Sequence, residues 1–368
     1  MRQKKKRRSA ILFFIDYKLS LLIFILVIIG LLAIADVSAP RAMLTFSDRL
    51  YFAKQQLMWI LVGFVTYLIF SQVAVKLWNK YALYIYILSV VLLVMIFIPG
   101  LGIETLGARR WINLGFTGFQ PSEFAKLALC IYLAKMFSLK KKLIAYLFPL
   151  CVTAFLILLQ PDFGTTVVVV VMAFMQIFLS NISFKKILAI SLVGLLLAFA
   201  LIYTSNYRKE RVVSFISPFS QNNESNYHIK QILYALAMGG INGSGIGQSK
   251  QKYLFLPEAT TDSIFAVIAE EVGFIGVALI IFLYFAISFR LMYSLKSIQD
   301  PFSYALSVGI FGWFIGQTFI NLGSISSLIP FTGVPLPFIS YGGSNLIALF
   351  AAIGMFNSTI KYSNYYEK

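Results

Sequence analysis

Apolar runs follow one another along almost the whole chain, each about long enough to cross a bilayer, broken by short polar or basic connections. Ten of them predict membrane-spanning helices near residues 18–36, 53–74, 77–98, 121–137, 143–160, 164–181, 186–204, 264–291, 302–322 and 340–360. One set of connections is rich in lysine, with Lys140, Lys141, Lys142, Lys185 and Lys186. Positive charge gathers on the cytoplasmic side, so the alternating set at 37–52, 99–120, 205–263 and 323–339 is expected to face outward. Arg2 to Arg8 form a basic stretch before the first apolar run. That run is longer than a signal-peptide core and lacks a small-residue cleavage site, so it reads as an anchor. The expected fold is a single all-α polytopic membrane domain over 1–368. It has a basic N-terminus at 1–17, a large outward loop at 205–263 between helices 7 and 8, and both termini in the cytoplasm, the C-terminal one at 361–368.

The loop at 205–263 is the longest connection, and loops beyond about 15 residues are usually functional or disordered. It holds Pro218, an Asn/Ser-rich turn at Gln221 to Asn226, an amphipathic stretch near Ile229 to Met238, and the glycines of GGINGSGIG. The pattern predicts a short interfacial helix and then a tight glycine-rich crossing. As an anion site the glycines are a weak signal, and Gln248 stands where a dinucleotide fingerprint needs its third glycine. No internal repeat or inverted pair of halves stands out. SLIPFTGVPLPFISYGGSN at 327–345 carries Pro330, Pro335 and Pro337 with Gly333, Gly342 and Gly343. Non-helical backbone at membrane depth survives only where protein buries it or it lines a wet cavity, so this segment is expected to dip into the outward face.

Composition agrees with a membrane protein: 59% hydrophobic and 12% charged residues, against about 25% charged in soluble domains. The net charge of +17 is distributed as topology signals and not as a basic face with interleaved aromatics, which argues against nucleic acid. Cys130 and Cys151 lie in apolar runs and form no disulfide or zinc pattern. His228 is the sole histidine, so acid–base chemistry falls to carboxylates, Lys or Tyr.

Charges in or beside spans are costly and mark functional sites by default. The candidates are Glu123, Lys126, Asp162, Asp262, Glu270 and Glu271, the first four at the expected outward ends of the spans at 121–137, 143–160, 164–181 and 264–291, with Asp162 between the middle two. Glu123 and Lys126, in QPSEFAKL, share a helix face three residues apart and can pair. Arg109 and Arg110 precede them, and arginine forks bind phosphate oxygens well. Asp162 fits a helix cap as readily as a functional group. Tyr341, Ser344 and Asn345 are either substrate contacts or satisfy irregular backbone.

Four ordered stretches then carry a specific resemblance: GARRWINLGFTGFQPSEFAKL, QPDFGTT, GIGQSKQKYLFLPEATTDSIFAVIAEEVGFIG and PFTGVPLPFISYGGSN. Together they resemble the SEDS family of bacterial cell-wall glycosyltransferases (FtsW, RodA and SpoVE) over nearly the whole chain. GQSKQKYLFLPE looks more like the division branch and its sporulation relative than the elongation branch. The resemblance implies polymerisation of lipid II, an undecaprenyl-diphosphate-linked disaccharide peptide, on the outer face of the cytoplasmic membrane. It also implies a class B penicillin-binding protein as partner, among other divisome proteins. Asp262 maps onto the family's loop acid and is expected to act as general base. Arg109, Glu123, Lys126, Gln231, Glu258, Tyr341 and Ser344 are the expected substrate contacts, with Arg109 and Lys126 facing the diphosphate. Three positions depart from the family pattern. Thr260 stands for the usual His or Gln, Ser263 for Phe, and His228 for Gln or Asn.

An α-linked donor giving a β-1,4 bond requires inversion, so one base suffices and no covalent nucleophile is needed. With Asp262 taken as lying in the first turn of a helix, the helix end is expected to lower its basicity. The loaded site is expected to restore it, and one of the threonines is expected to cap that helix. No cofactor is evident, and a divalent metal at the diphosphate is left open. The rival readings are a lipid II flippase or transporter, a scaffold recruiting the penicillin-binding protein, and an elongation or sporulation role in place of division.

Overall fold

The computed structural model describes residues 16–105, 108–113, 115, 118–180, 182–203, 206–217, 224–253 and 255–366. The basic N-terminal stretch, Pro218 and residues 221–223 of the Asn/Ser-rich turn lie outside the described residues. Ten long helices stand where ten spans are expected: α1 (Tyr17–Val37), α3 (Tyr51–Gln72), α4 (Val75–Met95), α5 (Pro121–Ser138), α6 (Ile144–Leu159), α7 (Phe163–Phe178), α8 (Phe184–Tyr203), α11 (Ile264–Leu295), α12 (Pro301–Ile325) and α13 (Gly343–Tyr366). Among the described residues, six of them are long and apolar enough by themselves to cross a membrane; α6 and α7 are apolar but shorter, at 16 residues each. The chain is a polytopic membrane protein.

Burial sorts these helices into an inner and an outer set. The apolar windows of α12 and α13 are buried over 78% and 83% of their residues, those of α3, α4 and α11 over only 22%. The outer helices therefore keep most of their Leu, Ile, Phe and Val for lipid. Inner α5 packs on α4 and α12, α12 on α7, and α13 on α3. Small residues allow the close approach, as where Gly63 of α3 faces the Phe350 ring of α13.

The elements at one end of the bundle were not all legible beforehand. The connection at 99–120 is an antiparallel sheet of β1 (Gly102–Thr105), β2 (Ala108–Asn113) and β3 (Gly118–Phe119), in that spatial order. A short α2 (Ala39–Phe46) lies in the 37–52 connection. The long loop contains α9 (Asn206–Ile216), which was not anticipated, and α10 (Glu224–Gly239), which covers the expected amphipathic stretch. We call this the hairpin end.

Two irregular backbones shape that end. Helix α11 is broken at Gly273 (φ 65°, ψ −169°), so the expected span at 264–291 is a short helix followed by a longer one. The segment between α12 and α13 dips as its prolines predict: Leu336, Phe338 and Ile339 are buried. The Tyr284 hydroxyl of α11 donates to the Pro337 carbonyl at 2.6 Å.

Candidate active site

The dipping segment meets the start of α11 and the start of α7. Asn321, near the end of α12, holds two of these strands together: its Nδ2 donates to the Asp262 carbonyl at 2.9 Å and to the Val334 carbonyl at 2.7 Å. Ser340 Oγ donates to the Thr261 carbonyl at 2.6 Å, and Tyr341 N–H donates to the Thr260 carbonyl at 3.0 Å. A side chain at Gly164, in the first turn of α7, would collide with the Thr332 carbonyl. Gly333 (φ 71°) lies so close to Asp262 that an added Cβ would sit 3.1 Å from Oδ2. Asp262 is thus fixed through its backbone, while its carboxylate is half-buried against the dipping segment.

Asp262 precedes α11 and does not belong to its first turn. The helix begins at Ile264 with Ser263 at the cap position, where its side chain makes no capping bond. The helix-end penalty expected for an acid in the first turn therefore does not set its basicity. Burial raises the Asp262 carboxyl to about 8, helped by the negative charges of Glu258 and Asp162 and opposed by Arg211 and Arg110. Its basicity is already high before any substrate arrives.

No threonine caps α11. Thr261 Oγ1 donates to Glu258 Oε2 at 3.0 Å, and Ser263 Oγ pairs with His228 Nε2 of α10 at 2.8 Å. Two of the three departures from the family pattern therefore touch each other beside the acid. Burial and the Arg211 charge hold the His228 ring down to about 4, so it is neutral near pH 7. A hydrogen bond to the Pro257 backbone acts the other way. Proline has only a carbonyl to offer, so that bond takes the single N–H of the neutral ring and leaves the Ser263 hydroxyl to donate to Nε2. Gln231, three residues further along α10, is half-buried on the same face.

The two arginines separate. Arg109 is 47% exposed in its side chain and pairs with Glu104 across the β1–β2 ladder at 3.1 Å. Arg110 points the other way and donates to the Gln160 carbonyl at 3.2 Å and the Pro161 carbonyl at 2.6 Å, just before Asp162. Of the two arginines named as possible anion-binding groups, it is Arg110 and not Arg109 that lies within electrostatic reach of Asp262; Arg211 of α9, which the sequence did not single out, is a second. Asp162 caps α7, accepting from Thr165 N–H at 3.0 Å and Thr165 Oγ1 at 2.7 Å.

Lys126 is also not free to meet a diphosphate. Its side chain is 2% exposed; Nζ pairs with Glu123 Oε1 at 2.8 Å, donates to Gln317 Oε1 at 3.1 Å and lies 4.8 Å from the Trp313 ring centre. Gln317 passes the connection on through Nε2 to the Pro335 carbonyl at 2.9 Å and to Asn345 Oδ1 at 3.1 Å. The Glu123–Lys126 pair therefore braces the dipping segment from beneath. Ser344 Oγ accepts from Gln120 N–H at 3.1 Å, so Ser344 and Asn345 satisfy irregular backbone and side chains here. Tyr341 is half-buried with its ring edge-on to Phe52.

Glu270 and Glu271 build a second, closed cluster. Glu270 accepts from Ser249 Oγ, from Lys250 N–H at 2.9 Å and from Gln251 N–H at 3.4 Å. Lys252 Nζ reaches Asp36 at 2.8 Å and Glu271 Oε1 at 3.1 Å. Gly243 (φ 82°) lets the loop backbone lie on the α11 break, where a side chain would strike the Glu271 carbonyl. The glycine-rich stretch is thus a close backbone crossing. Among the described residues, no three His, Cys, Asp or Glu side chains group as they would around a metal ion.

Known proteins bear out the overall reading. The chain is 36% identical to stage V sporulation protein E of Bacillus subtilis (strain 168), over 95% of this chain and 98% of that one. It is 37% identical to the probable peptidoglycan glycosyltransferase FtsW of Pasteurella multocida (strain Pm70), over 92% and 89%. In structure it resembles a chain of a peptidoglycan synthase complex studied for the coordination of polymerization and crosslinking, with a TM-score of 0.78 and 26% identity over 95% and 98%. It also resembles the rod shape determining protein RodA of Thermus thermophilus, with a TM-score of 0.70 and 26% identity over 94% and 96%. Residues 17–365 match the cell cycle protein family that comprises FtsW, RodA and SpoVE, and the chain belongs to that family.

Proposed function

We propose that the chain is a peptidoglycan glycosyltransferase that polymerises lipid II on the outer side of the cytoplasmic membrane, with Asp262 as general base. One observation carries this reading. The Asp262 carboxylate is held by backbone contacts at the meeting of α7, α11 and the dipping segment, and its proton affinity is raised to about 8. A base works best with a pKa near the working pH.

In the reaction, the 4-hydroxyl oxygen of one sugar forms a bond to the anomeric carbon of the other. The bond from that carbon to the diphosphate oxygen breaks, inverting the configuration, and the hydroxyl proton passes to Asp262. Undecaprenyl diphosphate leaves with the bonding pair. Arg110 and Arg211 supply positive charge that acts on Asp262, and we assign to them the stabilisation of that leaving group in place of Arg109 and Lys126. Charge placed in advance where the leaving group develops it needs no reorganisation during the step. Glu258 shapes the lip through its bond to Thr261. Likeness to FtsW and to the sporulation relative supports a septal role, and likeness to a chain of a synthase complex supports a penicillin-binding transpeptidase as partner.

The test is polymer formation by purified chain plus partner on lipid II, wild type against Asp262→Asn. General-base catalysis is worth about 10²–10⁴-fold, and a loss of that size with lipid II still bound is expected. Equal polymer from both proteins would sink the assignment, and translocation without polymer would favour transport.

A further inference from the structure

At the end of the bundle opposite Asp262, a cavity of about 880 Å³ opens between the α5–α6 turn, the α7–α8 turn and the first residue of α12. Its size falls in the range of about 300–1,000 Å³ typical of ligand pockets. Lys140, Lys141 and Lys142 line it from one turn and Lys186 from the other. Among the described residues none of the four forms an ion pair, and no acid lines the cavity. Asp300 neighbours the lining Pro301, but its carboxylate accepts from Ser303 N–H and Oγ as the cap of α12.

Two further observations separate this hollow from an ordinary solvated lysine run. Tyr146 lines the cavity, is 1% exposed, and its hydroxyl has no hydrogen-bond partner among the described residues. The hydroxyl oxygen is not among the solvent-sealed polar atoms that lack a partner, so it opens onto the cavity and is free to donate to an acceptor that enters it. Lys140 occupies the left-handed region (φ 49°), where the chain turns back over α5 and Lys141 N–H donates to the Met136 carbonyl at 3.0 Å. Glycine adopts that conformation without strain, yet a lysine stands there at the rim.

The rest of the lining is mainly apolar, with Leu143, Ile144, Leu147 and Ile182. Ile144 is 69% exposed and the nearby Phe148 67% exposed, so the cavity continues into the lipid-facing surface. We propose that it binds the phosphate headgroup of an anionic phospholipid. The lysines take the phosphate, Tyr146 donates to one of its oxygens, and the apolar wall holds the upper acyl chains. Basic pockets between membrane helices recognise acidic headgroups in this way.

The experiment titrates the full chain, purified in detergent, with fluorescent phosphatidylglycerol and with phosphatidylcholine bearing the same label and acyl chains. Phosphatidylglycerol is expected to bind at least about tenfold more tightly, with about a fivefold loss for each lysine removed. Lys140→Gly relieves the turn and so preserves folding, which makes it the primary variant; Lys141→Gln/Lys186→Gln and Tyr146→Phe follow. The proposal predicts that each lowers affinity for phosphatidylglycerol and leaves phosphatidylcholine unchanged. Equal affinity for the two lipids overturns it, as does indifference of phosphatidylglycerol binding to Lys140→Gly and the double variant. Complete displacement by millimolar inorganic phosphate overturns the lipid assignment in favour of a free-anion site.

Discussion

The start of α11 carries two sets of acids that the protein treats in opposite ways. Glu270 and Glu271 accept hydrogen bonds from Ser249, Lys250, Gln251 and Lys252, and Lys252 is shared with Asp36. Asp262, at the lip, has Glu258 and Asp162 within electrostatic reach, and its arginines are engaged with backbone carbonyls. A buried acid with its bonds satisfied fixes structure, and removing its partner is strongly destabilising. An acid held by its backbone, with its carboxylate opposed by like charge, keeps a high proton affinity and is available for chemistry. Position beside a span did not distinguish the two sets; their partners do.

Breaking the closed cluster gives the largest expected change in stability. Lys252→Met leaves Asp36 and Glu271 facing each other and is expected to cost about 3–5 kcal/mol, read as a lowered thermal midpoint in detergent. A midpoint within a degree of wild type would remove the distinction drawn above. Smaller is the contact between the two unusual residues at the lip. A double-mutant cycle of His228→Gln and Ser263→Ala is expected to give a coupling of about 1 kcal/mol, whereas additive effects would mean that the two touch without consequence.

A third expected effect has the opposite sign. The folded Asp262 carboxyl keeps its proton up to about 8, while the unfolded one loses it near 3.9. Stability therefore falls as pH rises through that window and changes little beyond it. Asp262→Asn escapes the loss, so at pH 8 it is expected to melt a few degrees above wild type and at pH 4 to match it. A lower midpoint at pH 8 would place Asp262 with the structural acids.

The ten helices were legible because bilayer thickness dictates long apolar runs, and each predicted span has its helix. The prolines and glycines of 327–345 likewise announced a dipping, non-helical backbone. The small elements at the hairpin end were not legible, since the sheet and α9 depend on tertiary contacts more than on hydropathy. That gap explains the choice of Arg109 over Arg110. Adjacent residues on a strand face opposite ways, and only the β1–β2 register shows Arg109 opposite Glu104. Lys126 and Glu123 were correctly paired by spacing, but sequence could not show that Gln317 and Trp313 close over the ammonium. The start of α11 at Ile264 agrees with the span expected at 264–291, and by that boundary Asp262 lies two residues before the helix and not in its first turn.

The most direct test of the central claim is the pH dependence of kcat/KM for glycan polymerisation by the chain with its partner, from pH 5.5 to 9. This quantity reports the essential base of the free enzyme. With Asp262 raised to about 8, activity is predicted to climb about tenfold per pH unit on the acid side and level off above that value. A profile that is flat between pH 5.5 and 8 would contradict Asp262 as a base of raised proton affinity.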